Sequence, residues 1–123
     1  MNRTVGIFGI LIGTMMIVQW SYFLATGQVP EIRSEPLRLA FHLVGEFLTA
    51  FGLLVSGMAV LKRIKWGKLV LLVSNGLLIY SVIVSPGYFA QTGQWEMVTM
   101  FMVILALTIV VTYFVARELI KSI

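Results

Sequence analysis

Within the stretch "AFHLVGEFLTAF", Ala40 to Phe51, stand the only histidine of the chain, His42, and a glutamate, Glu46, surrounded by apolar residues. Residues four apart share one helix face and can interact, and Thr49 continues the same stripe. An ionisable side chain inside an apolar span faces a bundle interior or a wet cavity, because turning it toward lipid costs several kcal/mol. An imidazole beside a carboxyl group can hold one proton between the two, so that the pair titrates as a unit. Such a pair serves general acid–base chemistry or proton-coupled transport. The same residues could equally form a structural polar lock between helices.

The pair is a poor start for a metal site. Two ligands fall short of the three that a catalytic zinc normally takes from the protein, and the chain has no cysteine. One histidine serves haem only with methionine or an open position opposite, and the seven methionines read as flexible packing. No metal and no particular cofactor is expected. A phosphate-binding glycine loop ending in Lys-Ser/Thr is missing, and no serine sits in a nucleophile-elbow context, which argues against an ATPase and a serine hydrolase.

The elements that must position His42 and Glu46 follow from composition. Hydrophobic residues make up 59% of the chain and charged residues 11%, against about 25% charged in a soluble domain. Mean hydropathy is +0.99. About 20 apolar residues cross a bilayer as a helix, and the sequence supplies four such runs, near residues 5–25, 37–61, 67–85 and 97–116. None has a broad charged face. The expected fold is all-α, a single four-helix transmembrane domain over residues 1–123 in contact with the lipid bilayer. The first run is preceded only by Arg3, is long for a signal peptide, and lacks an Ala-x-Ala site, so it is expected to stay in the protein.

Basic residues orient the spans. Arg3, Lys62, Arg63, Lys65, Lys68, Arg117 and Lys121 fall on one side of this arrangement, and only Arg33 and Arg38 on the other. Both termini are therefore expected in the cytoplasm of a multi-pass cell-membrane protein. "KRIKWGK", Lys62–Lys68, reads first as an orienting turn and second as a contact for anionic lipid. The formal charge of +4 comes from this asymmetry rather than from a basic tail or polar helix, so nucleic acid is not an expected partner.

The far-side connectors echo each other: "YFLATGQVPE" from Tyr22 and "YFAQTGQWE" from Tyr88. In both, aromatic residues suit the membrane interface, and Gly27 or Gly93 suits a left-handed residue closing a helix. Glu31 or Glu96 then precedes the next helix, where negative charge favours the N-terminal dipole. The echo fits a duplicated helical hairpin, a parallel repeat, or two like exits solved alike. Gly6, Gly9, Gly13, Gly45, Gly52 and Gly57 invite close helix approach, more readily within the chain than between chains.

At 1.5 Å rise per residue, Glu46 lies roughly 5 Å outward of the middle of its span. Gln19 and Tyr22 of the first span, Tyr80 and Ser81 of the third, and Thr99 with Met102 of the fourth reach the same outer half. Asn75 lies nearer mid-membrane, level with Thr49. This outward bias points to a polar pocket opening toward the outer leaflet, with His42, Glu46, Thr49, Gln19, Tyr22, Asn75, Tyr80, Ser81 and Thr99 as candidate binding or proton-coupling residues.

The stretch "HLVGEFLTAFGLLVSGMAVLKRIKWGKLVLLVSNGLLIY", His42 to Tyr80, resembles the middle of DoxX-like small four-span membrane proteins, with a glutamate early in span 2, a small-residue-rich remainder, a short basic turn and a third apolar span. The resemblance implies a four-helix bundle associated with quinone-linked oxidoreductase complexes, and it transfers no catalytic residue. Three functions fit the residues. The favoured one is a pocket for a lipid, quinone or other amphipath, in an accessory subunit of a larger complex. The second is a proton-coupled transporter or pore working as a homo-oligomer, with Glu46 as coupling carboxylate. The third is a membrane enzyme that uses His42 and Glu46 for proton transfer.

Overall fold

A computed structural model describes residues 2–27 and 31–122, apart from the side chains of Asn2, Glu31, Ile32, Tyr88 and Ser122. The chain is an all-α four-helix bundle whose long helices are apolar and long enough to cross a membrane. These are α1 (Asn2–Ala25), α3 (Pro36–Leu61), α4 (Gly67–Val84) and α6 (Trp95–Ser122). Two short helices, α2 (Glu31–Ser34) and α5 (Pro86–Gln91), lie in the connectors at one end. The other end carries the α3–α4 turn with Lys62, Arg63 and Lys65, and is called here the basic end.

The ends of the helices follow local chemistry. Pro36 opens α3, where a missing N–H costs nothing. Pro86 cannot continue the ladder of α4, so the chain restarts as α5, and a connector expected to be a plain turn holds six helical residues. At its end Gly93 adopts φ +77°. The Gln94 N–H donates to the Phe89 carbonyl at 2.8 Å and the Gly93 N–H to Ala90 at 3.3 Å, a Schellman closure. Gly27 is also left-handed, at φ +70°. The first echo is thus described to Gly27, and Gln28–Pro30 lie outside the described residues. The α3–α4 turn closes the same way on Arg63, at φ +58°, with the Ile64 N–H donating to Ala59 at 2.9 Å.

Packing runs in chain order: α1 on α3, α3 on α4, α4 on α6. The bundle is closed along these three seams, and α1 and α6 form no comparable interface. Toward the basic end the α1–α3 seam is tight. A Cβ on Gly13 would stand 2.7 Å from the Ala50 carbonyl oxygen, one on Gly9 2.9 Å from that of Leu53, and one on Gly57 2.7 Å from that of Gly6. These glycines serve contact within the chain, whereas a Cβ on Gly45 would meet open space.

The outer surface is apolar where a soluble domain's would be polar. Phe41, Leu48, Phe51, Val55, Leu69 and Val73 are exposed on the outside, while Glu46, Thr49, Ser56, Ser74, Asn75, Ser81 and Thr108 are buried. Leu53, Leu71, Leu78 and Val60 fill the centre. The buried hydroxyls of Thr49, Ser56 and Thr108 donate to carbonyls one turn back on their own helices, at 2.8, 2.6 and 2.7 Å, so they need no partner across the bundle.

Candidate functional site

Three helices converge on Glu46. Its carboxyl group is 7% exposed and comes from the buried face of α3. Ser81 of α4 donates its hydroxyl to Oε1 at 2.7 Å, a short bond for a buried pair. Trp20 of α1 donates its indole N–H to Oε2 at 3.4 Å. His42, one turn back on α3, brings Nε2 to 3.7 Å from Oε1. That distance is longer than a hydrogen bond, so the pair interacts as neighbouring charges or dipoles and Ser81 makes the direct bond. The sequence reading of a proton held between His42 and Glu46 would need the ring to move closer.

The imidazole is positioned from a second side. Trp20 meets His42 edge-on, with ring centroids 5.4 Å apart and an interplanar angle of 68°. Glu46 thus fixes Trp20, which in turn buttresses His42, and both rings line a cavity of about 550 Å³. Glu46 does not form part of the cavity wall; His42, whose side chain is 41% exposed, does.

The cavity lies at the end away from the basic turn, in the gap between α1 and α6, with α3 and α5 completing its wall. One side is aromatic. Phe23 follows Trp20 at 6.4 Å between ring centroids, Phe89 of α5 lies 6.5 Å from Phe23, and Phe101 of α6 stacks on Phe89 at 5.8 Å. Polar groups share the lining: Gln19, Ser85 and Gln94, and the pair Glu35–Arg38, joined at 3.3 Å. A compact polar head and an apolar body would each find a matching wall.

Of the residues singled out in the sequence, His42, Glu46, Ser81 and Gln19 come together at or directly behind this cavity. Thr49 is buried on the same face of α3 and bonded to its own backbone. Asn75 is fully buried, donating Nδ2–H to Thr112 of α6 at 3.1 Å, and belongs to the α4–α6 seam. Tyr22 and Tyr80 face outward, 58% and 69% exposed, and Thr99 is exposed and bonded to Trp95 of its own helix at 3.0 Å. The sequence reading missed Trp20, Phe23, Phe89 and Phe101. Trp20 was detectable in principle, because an indole N–H inside an apolar span needs an acceptor, and Glu46 is the acidic one available at that depth. Among the described residues no three His, Asp or Glu side chains gather as metal ligands.

Four apolar spanning helices around one buried carboxyl group, with an aromatic cavity beside it, define a small multi-span membrane protein. The chain belongs to the family described as Domain of unknown function (DUF8058), whose model matches residues 1–122. That match brings no link to the DoxX-like proteins. No curated protein and no solved structure matches the chain.

Proposed function

We propose that the protein binds a membrane-borne amphipath, a lipid or quinone-like molecule, in the cavity beside His42. The observation that carries this reading is an aromatic-walled space of about 550 Å³ on which an oriented imidazole is displayed. In this reading His42 meets the polar head of the ligand, with the Glu35–Arg38 pair at the rim. The apolar body lies against Phe23, Phe89 and Phe101. The unpacked seam between α1 and α6 gives it a lateral path from the bilayer. Glu46, with its oxygens engaged by Ser81 and Trp20, acts as a positioning residue that holds Trp20, and through it His42, in place.

The basic turn and both termini lie in the cytoplasm in this proposal, by the excess of Lys and Arg there, so the cavity opens toward the outer leaflet. The likeness of His42–Tyr80 to DoxX-like proteins supports a role as an accessory subunit that presents such a ligand to a partner. The test is mass spectrometry of organic extracts from protein purified in a mild detergent. A lipid-class species enriched over the bulk extract, and lost in His42→Ala with helicity retained, is the expected result. The same extract from both proteins, or no enriched species, refutes the proposal.

A further inference from the structure

The basic end carries a second, chemically different recess. A groove of about 480 Å³ runs between α4 and α6, with Lys65 and Trp66 at its mouth and Leu69, Leu72, Ala116 and Leu119 along it. Its walls are apolar below the mouth, which suits a hydrocarbon chain. Trp66 is 48% exposed, the position of an indole at a membrane–water interface. Lys65 stands at the mouth, and Lys62 and Arg63 of the same turn and Arg117 and Lys121 of α6 are exposed at the same end of the bundle. The acidic residue among them, Glu118, lies 4.0 Å from Lys68 across the same two helices, and this pair leaves the surrounding positive charge unopposed. At the His42 cavity, by contrast, the rim charges Glu35 and Arg38 cancel.

We propose that this groove is a binding site for one anionic phospholipid, with its phosphate at Lys65 and one acyl chain laid between α4 and α6. A lysine ammonium is a mobile point charge suited to a phosphate monoanion. The small side chain of Ala116 leaves the depth in which the chain lies. A zwitterionic lipid fits the same groove but gains nothing from the surplus positive charge, so the site discriminates by headgroup. It is independent of the cavity beside His42.

The experiment is native mass spectrometry of protein purified in dodecyl maltoside and mixed with equimolar phosphatidylglycerol and phosphatidylcholine of identical acyl chains. The native chain retains phosphatidylglycerol in preference. Lys65→Gln reduces that preference roughly five-fold, the Boltzmann weight of one basic side chain at an anionic surface. Ala116→Phe fills the groove, keeps every charge, and abolishes the preference. Leu69→Trp blocks the exposed lip without entering the core and does the same. Arg33→Gln, at the opposite end, leaves it unchanged, and millimolar inorganic phosphate does not compete. The proposal is overturned if the native chain shows no preference, if the preference is undiminished in Lys65→Gln or survives both groove-filling variants, or if free phosphate displaces the lipid.

Discussion

The two donors bonded to Glu46 predict an uneven division of coupling energy that a double-mutant cycle can measure. Interhelical polar contacts in membranes average about 0.6 kcal/mol and reach about 1.7 kcal/mol. The Ser81 bond, at 2.7 Å to a carboxyl oxygen and with both residues 7% exposed, belongs near the top of that range. The Trp20 bond, at 3.4 Å, belongs near the bottom. Glu46→Ala combined with Ser81→Ala should give a coupling of about 1.5 kcal/mol, and Glu46→Ala with Trp20→Phe about 0.5 kcal/mol or less. Glu46→Gln should cost only about 1 kcal/mol. The amide can accept from Trp20 and donate to the Ser81 hydroxyl, which turns to suit, so both contacts keep a partner. Reversible unfolding in mixed dodecyl sulfate micelles reads all of these values. A Ser81 coupling below that of Trp20, or Glu46→Gln as damaging as Glu46→Ala, would refute the idea that the carboxyl group joins α3 chiefly to α4.

Gly13→Leu pushes a side chain into the Ala50 carbonyl, 2.7 Å from the first added carbon, and should separate α1 from α3 at a cost above about 2 kcal/mol, read in the same micelle titration. Arg63→Gly removes a Cβ from a left-handed position at φ +58° and should stabilise the protein by about 1 kcal/mol, while the neighbouring lysines keep the orientation of the spans. Asn75→Leu loses the bond to Thr112 but also removes Oδ1, a buried oxygen with no partner among the described residues. It should be neutral within about 1 kcal/mol, since replacing an incompletely paired polar group by an apolar one of similar size offsets the loss.

The sequence was legible along the bilayer normal and much less so around each helix axis. Span positions came from runs of apolar residues, and their structural bounds differ mainly in α6, which continues past 116 to Ser122. Depth puts Ser81 in the same outer half as Glu46, and the two side chains meet. It also puts Tyr80 there, yet adjacent helical residues point about 100° apart, so one turns inward and the other outward. No azimuth can be read for α1, whose apolar residues are spread around the whole helix, so Trp20 stays hidden beside the more conspicuous Gln19. Phe89 was missed for another reason. Its segment carries Pro and Gly and reads as a turn, and Pro86 instead starts a new helix that swings the ring over the cavity.

Because every seam joins spans consecutive in the chain, assembly can proceed in the order of synthesis, each new helix docking on the one before it. After the first hairpin has inserted, Glu46 has the indole of Trp20 for company and no hydroxyl. Arrival of α4 brings Ser81 and caps the carboxyl group, which makes the third span the step at which a half-built chain becomes tolerable to the hydrocarbon around it.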